Sequence, residues 1–236
     1  LAFNDGDFVK IDYSAWRVAD GKMIYTTSKT LAEDNGIYDK EHMYVPQLVI
    51  IGKGSIIKGV ENVVKGMAVS ETKTVELEPK DAFGDKNPDL VKVMPIGDFK
   101  KKDVYPYPGM QLDIDNMVAV VKSVNSGRVV VDANHPLAGE KLKYEIKLVA
   151  KLAGDEEKVK ALAEAFSIAP DSVSVSGGQM KAVFGDKVEK TSRFLVNKAD
   201  FVNATLRYMA NIERVVVEED YSKPKENKQQ NEEEGQ

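Results

Sequence analysis

The 236-residue chain contains no cysteine. Disulfides, thiol catalysis and thiolate-bound metal are thereby excluded. Imidazole is nearly absent as well, with only His42 and His135. Two histidines are a poor basis for a structural zinc site or an acid–base relay, so neither a metal nor any other cofactor is expected. The single tryptophan, Trp16, falls on an early strand and is assigned to packing. No apolar run approaches the ~18–20 residues of a membrane span, so no membrane partner is expected. Positive charge is in deficit: 33 Lys and Arg against 38 Asp and Glu give a net charge of −5. That balance argues against a nucleic-acid surface. The N-terminus lacks the basic, apolar and small-residue succession of a secretion signal, and a cytoplasmic protein is expected. What the chain does have is 42% hydrophobic and 30% charged residues, enough for a real core under a solvated surface. The length suits two or three small domains.

Period-two patterns dominate the first part of the chain. Val9, Ile11 and Tyr13 alternate with Lys10, Asp12 and Ser14, which predicts a half-buried strand. Asp20-Gly21 is a hairpin turn signal, and Lys22 to Thr27 returns as a second strand. Residues 28–45 are polar with scattered aromatics and read as a long loop or short helix. Gln47 to Ile51 is an apolar strand. Gly59 to Lys65 places Val60, Val63 and Val64 on one side, a brief helix with Gly66 set to cap it. Thr72 to Leu77 alternates again, with Val75 and Leu77 inward.

The stretch from Lys86 to about Ala133 interrupts this plan. Met110, Leu112 and Ile114 alternate, and two Val-rich runs flank Asn125-Ser126-Gly127, a hairpin signal. Three such strands, with Phe99, Tyr105 and Tyr107 nearby, can close a small core of their own. Leu142, Tyr144, Ile146, Leu148, Ala150 and Leu152 then form the clearest alternation in the chain. That strand has no neighbour to pair with locally, so it is expected to rejoin the first sheet, which makes 88–133 an insertion in a parent domain.

Beyond Gly154 the pattern changes. Asp155 can cap a helix whose first turn carries Glu156 and Glu157. Val159, Leu162, Ala163 and Phe166 share one face. Ser172 to Val175 and Gln179 to Phe184 flank Gly177-Gly178 as a hairpin. Asn197 is placed to cap a second helix with Val202, Leu206 and Met209. Arg214 to Val217 is a last strand, giving an α-β-β-α-β order. From Asp220 onward the residues are almost all polar and are expected to be disordered.

Several apparent motifs carry little. Gly52-Lys53-Gly54 lacks the spacing and the Gly-Lys-Ser/Thr ending of a phosphate loop. Asp113-Ile114-Asp115-Asn116 lacks the remaining ligands of a calcium loop and reads as a turn. Asn203-Ala204-Thr205 matches a glycosylation sequon but falls within a helix. His135 reads as a structural hydrogen-bonding residue rather than a metal ligand.

Three elements occur in a telling order: Ile51-Gly52-Lys53-Gly54-Ser55-Ile56-Ile57-Lys58-Gly59-Val60, then Asp81-Ala82-Phe83-Gly84, then Asn134-His135-Pro136-Leu137-Ala138-Gly139. Together they resemble FKBP-type peptidyl-prolyl isomerases of the SlyD type, which carry an insert-in-flap domain. The resemblance spans about 2–152, and the extra C-terminal part is most similar to the long archaeal form. It implies an α+β, multidomain architecture. An FKBP-like antiparallel half-barrel sheet with a short helix would occupy 1–87 and 134–152. A small β-rich insert-in-flap chaperone domain would occupy 88–133, a C-terminal α+β domain 153–219, and a disordered tail 220–236.

The resemblance also implies the site. A proline pocket would be lined by Tyr13, Ile24, Val49, Ile56, Ile57, Phe83 and Tyr144, with Val60 at its floor and Tyr25 at its rim. The Ile57 backbone N–H would donate to a substrate carbonyl. This chain departs from the family where Tyr25 replaces an acid, Phe83 often a Tyr, and Val60 often a Trp. In the insertion, Val93, Met94, Ile96, Phe99, Tyr105, Tyr107 and Met110, with Val104, are candidates for binding unfolded chains or for the insertion's own core. The implied activity is prolyl cis/trans isomerisation with chaperone action on unfolded or partly folded proteins and proline-containing peptides. The alternative is a holdase with weak isomerase activity. A spare apolar face on the C-terminal domain is expected to be buried against a second copy, forming a homodimer, or else to dock on the parent domain.

Overall fold

In the computed structural model of the protein, which describes residues 3–114, 117–186, 188 and 191–221, the first alternating run forms a ten-residue strand, β1 (Phe8–Arg17). Val9 and Ile11 are fully buried, as their period predicts. The chain turns at Asp20-Gly21, with Gly21 at φ 68°, into β2 (Met23–Thr26), antiparallel to β1. The register slips between Ala15 and Trp16. β3 (Gln47–Ile50) pairs antiparallel with β1, setting Val49 opposite Val9. β4 (Thr72–Leu77) pairs antiparallel with β9 (Leu142–Leu152), setting Val75 opposite Tyr144. The sheet runs β2-β1-β9-β4, with β3 also on β1. The long strand at 142–152 thus rejoins the first sheet.

Two compact units divide the chain. One takes residues 12–46 and 56–148; the other takes 3–11, 47–55 and the chain from 149 on.

In the first unit, α1 (Lys29–Asp34) starts at Ser28, whose Oγ accepts the Leu31 N–H at 3.4 Å. α2 (Lys58–Lys65) buries Val60 and Val64, four residues apart, and Lys65 reaches Glu61 at 3.4 Å across one turn. Gly66 ends α2 at φ −101°, so its capping does not use the left-handed backbone that glycine permits. The glycine that matters is Gly59. A Cβ there would lie 2.6 Å from the Asp81 carbonyl oxygen and 2.8 Å from Leu77 Cδ1.

The inserted segment has four strands rather than three: β5 (Val91–Pro95), β6 (Gln111–Ile114), β7 (Met117–Asn125) and β8 (Arg128–Asp132). They run antiparallel in the order β5-β8-β7-β6. α3 (Ile96–Lys100) follows β5. β5 escapes a periodicity reading because it is an edge strand that leaves Val91 and Val93 exposed. Ser126 and Gly127, both at positive φ, make the predicted hairpin. Phe99, Ala119, Val121, Val129 and Val131 form the core of this segment. Asp115 and Asn116 lie outside the described residues.

Asn134 fastens the neck of the insertion. Its Oδ1 accepts the Asn87 N–H at 2.8 Å, and its Nδ2 donates to the Asn87 carbonyl at 3.0 Å and to Asp132 Oδ1 at 2.8 Å. Its backbone N–H donates to the same Asp132 oxygen. Burial works to raise the Asp132 carboxyl, but the Asn134 donors together with Lys122 and Lys86 outweigh it and hold the group below the usual carboxylate range.

In the second unit, α4 (Asp155–Ala165) is preceded by Gly154, not capped by Asp155; the Gly154 N–H donates to Glu157 Oε2 at 3.3 Å. β10 (Ser172–Ser176) and β11 (Gln179–Phe184) form the hairpin around Gly177-Gly178. β12 (Arg214–Glu219) lies parallel to β11. α5 (Ser192–Tyr208) begins well before Asn197: Thr191 caps it, accepting the Phe194 N–H at 3.2 Å. The early start buries Phe194, which meets Phe184 edge-on at 5.1 Å. The buried face of α5 is Phe194, Phe201, Ala204 and Thr205, whereas Leu206, predicted inward, is exposed.

The core of this unit corrects the expected border at 153. Phe8 and Ile50 belong to the same apolar cluster as Val159, Leu162, Met180 and Phe184, and Leu48 and Leu152 pack against it. Lys10 pairs with Glu164 at 2.5 Å. The C-terminal elements are therefore covered by residues of β1 and β3, which removes the reason for burying that face against a second copy. Most of the tail read as disordered, 222–236, lies outside the described residues.

Candidate active site

Tyr13, Tyr25 and Tyr144 come from three strands, β1, β2 and β9, and their rings meet. Tyr13 stacks on Tyr25 with centroids 4.9 Å apart and 22° between planes, and Tyr144 lies tilted against Tyr13 at 6.0 Å. Strand pairing holds them in place. The Tyr13 N–H donates to Thr27 Oγ1 at 3.1 Å, the Thr27 N–H to the Tyr13 carbonyl at 3.0 Å, and Thr27 Oγ1 to Asp12 Oδ1 at 3.0 Å. Burial raises the pKa of all three phenols: Tyr144 is pushed up to about 12, and Tyr13, with Tyr25 and Tyr144 adding to the effect, is raised further. Tyr25 is also raised by burial, although its hydrogen bond with Tyr13 works the other way. The three rings are neutral at ordinary pH, so they offer shape, polarisable faces and hydroxyl donors, and no base.

Ile56 and Ile57 are half-exposed at the end of the Gly-rich loop. Ile57 sits at the entry of α2 with φ −58° and ψ 144°, and its carbonyl accepts the Glu61 N–H at 3.0 Å. Its own N–H has no hydrogen-bond partner among the described residues. Val60, one turn into α2, is fully buried. Phe83 is half-buried and lies flat on His135, with centroids 4.2 Å apart and planes within 2°. His135 Nδ1 accepts the Leu137 N–H at 3.1 Å. His135 is thus a structural residue that orients Phe83. Val49 is fully buried on β3 opposite Val9, in the second unit.

Ile24 and Tyr25 also line a cleft of about 190 Å³ with Ile37, His42 and Tyr44. Tyr25 Oη lies 3.2 Å from His42 Nε2, and His42 meets Tyr44 edge-on at 4.8 Å. The sequence reading missed this group. Its only signal was the density of aromatics in the otherwise polar segment 28–45.

The candidates in the insertion separate into two sets. Phe99 is buried in the core, and Met94, Ile96, Val104 and Met110 pack against it. These five are the fold of the segment, so Phe99 is unsuited to meeting a client. Val93, Tyr105 and Tyr107 are 59%, 68% and 62% exposed. Of the candidates, the exposed ones are therefore two tyrosines and an edge-strand valine, and Val91, Met117 and Val118, which the sequence did not single out, are exposed in the same segment.

The sequence has relatives among known proteins. Over 143 residues the chain is 38% identical to the short-type peptidyl-prolyl cis-trans isomerase of Methanocaldococcus jannaschii, a match spanning 61% of this chain and 90% of that protein. The chain belongs to the FKBP-type peptidyl-prolyl isomerase family. Two further members of the family are similar to it, both named FKBP-type peptidyl-prolyl cis-trans isomerase SlyD. The protein from Vibrio cholerae is 30% identical over 131 residues, 54% of this chain and 65% of its own length. That from Escherichia coli is 29% identical over 147 residues, 61% of this chain and 74% of its own. The family model described as FKBP26, IF domain, matches residues 92–137, which covers nearly all of the four-stranded insertion.

Proposed function

We propose that this FKBP-family chain isomerises X–Pro bonds of unfolded protein chains and assists their folding. The observation that carries the reading is the meeting of three neutral tyrosine rings on the sheet, Tyr144 buried and Tyr13 and Tyr25 half-buried. An X–Pro amide rotates slowly because rotation breaks amide resonance, at a cost of ~18–20 kcal/mol. The twisted amide has less charge separation than the planar one. A dry aromatic and aliphatic wall therefore disfavours the planar state relative to the twisted one. A thousandfold acceleration requires only ~4 kcal/mol, within the reach of shape and desolvation. The Ile57 N–H, free of partners among the described residues, holds a substrate carbonyl in register. Ile56, Val60 and Phe83 complete the wall, with His135 fixing the Phe83 ring.

The insertion acts as an insert-in-flap chaperone module that collects clients through Tyr105, Tyr107 and Val93. Tethering raises the local concentration of client at the isomerase site without new contacts there. Those exposed residues also support the second reading, a holdase with weak isomerase activity. The long archaeal form and cytoplasmic residence belong to the proposal on the strength of the family resemblance. Refolding of a proline-limited protein tests it. The full chain accelerates the slow phase under the proposal, whereas a holdase suppresses aggregation and leaves that phase unchanged.

A further inference from the structure

The cleft beside Tyr25 is built for a different object from proline. Three aliphatic side chains, Ile24, Ala32 and Ile37, form part of its wall. Three rings, Tyr25, His42 and Tyr44, form another part, and they are locked to one another by edge contacts of 5.4 and 4.8 Å. One carboxylate, Asp39, also lines it. Asp39 is fixed in place, since its N–H donates to Tyr44 Oη at 2.9 Å and its Oδ1 accepts the Glu41 N–H at 2.9 Å. A volume of about 190 Å³ is below the ~300–1,000 Å³ of small-molecule sites and suits one long side chain.

We propose that this cleft is a specificity subsite that takes an arginine or lysine side chain of the client, one or two residues from the proline. The apolar wall receives the methylene stem, the ring faces receive the cation, and Asp39 supplies the opposite charge. Asp39 is solvent-exposed, so it adds an attraction for a cation and none for a purely aliphatic side chain. The segment already holds a cation in this manner, with Lys29 Nζ 5.5 Å from the centroid of Tyr38, which itself stacks on Tyr44. The chain from 33 to 41 carries Glu33, Asp34, Asp39 and Glu41 against Lys40 alone, so the approach is electrostatically favourable for a basic residue. Tyr25 links the subsite to the site described above, because the same ring that lines the cleft stacks on Tyr13.

The inference rests on the isomerase reading, and two measurements keep the two apart. Proline peptides carrying Arg, Leu or Phe at each of the two positions on either side of proline are assayed for isomerisation by the full chain. At one position the Arg peptide is turned over about fivefold faster than the Leu peptide, an advantage that shrinks with added salt and returns to near parity in Asp39→Asn. Calorimetry of the same peptides follows binding without turnover, and shows the same Arg preference and the same loss in Asp39→Asn. Equal or better binding of the Leu or Phe peptide at every position, or an Arg preference untouched by Asp39→Asn, overturns the subsite. Absence of turnover with every peptide overturns the isomerase reading, while the calorimetric comparison still decides the subsite.

Discussion

Adding one methyl group at Gly59 tests how closely the helix entering the site is packed on the turn that carries Phe83. Gly59 is buried in α2, and a Cβ there would meet the Asp81 carbonyl oxygen at 2.6 Å and two Leu77 methyls at 2.8 Å. Real Cβ atoms do not approach backbone oxygen so closely, and a carbonyl in a hydrogen-bonded turn cannot rotate aside as a side chain can. Overpacking of this kind costs ~1–3 kcal/mol. Because the clash is with backbone, the upper end of that range, ~3 kcal/mol, applies; alanine is the better helix former by ~1 kcal/mol, so the net loss for Gly59→Ala is about 2 kcal/mol. At about 2–4 °C per kcal/mol for a chain of this size, the unfolding midpoint drops by about 4–8 °C. The 79–84 turn must yield, and with it Phe83, so isomerase activity falls even at temperatures where the variant is fully folded. Thermal denaturation followed by circular dichroism, paired with a short-peptide assay at 10 °C, measures both. A variant as stable as the parent and as active would refute this packing and the role of the turn in placing Phe83.

Three further outcomes follow from the geometry. Replacing 88–133 by a short turn leaves a folded parent sheet that still isomerises tetrapeptides, while catalysis of protein refolding drops steeply; equal loss on both substrates would mean that the insertion is not a separate client-binding unit. The Asp132 carboxyl is held below its ordinary value of 3.8, so it contributes stability above that value and loses it as the pH falls further; urea titrations from pH 7 to pH 3 are expected to show a steeper acid loss for the native chain than for Asp132→Asn, and identical acid limbs would contradict the clamp at Asn134. Macrolide ligands bind weakly, since a buried carbonyl left without its partner costs ~1–3 kcal/mol; calorimetry on Tyr25→Asp with Phe83→Tyr tightens binding, and tight binding by the native chain would contradict this.

Alternation carries the reading where a strand has one wet face: β9 buries Leu142, Tyr144, Ile146 and Leu148 and exposes the residues between them, and a period-two reading finds it, whereas β1 buries Phe8 with Val9 and Ser14 with Ala15 as adjacent pairs. Alternation fails where the structure breaks that condition. β5 lies at an edge with Val91 and Val93 exposed, so it has no alternation to find. Asn197 is a good capping residue type and predicts a later start for α5, yet burial of Phe194 against Phe184 favours Thr191. The border expected at 153 follows the change in composition, but the core does not respect it, since Phe8 and Ile50 are distant in sequence and share a cluster with Phe184. At the site, Tyr13 and Tyr144 were legible as inward positions of strands, and the family motifs pointed to Tyr25. The His42 and Tyr44 contacts come from a segment without periodicity, where only the tertiary structure brings the rings together.

Isomerisation of a short proline peptide, followed by exchange between its cis and trans resonances, bears most directly on the claim that a wall lined by the tyrosines and the Ile57 side chain accelerates rotation. The full chain is predicted to accelerate exchange, and Tyr144→Ala and Ile57→Ala each to lower the rate at least ~10-fold, equal to ~1.4 kcal/mol of transition-state stabilisation. Folded variants as active as the native chain would contradict the account.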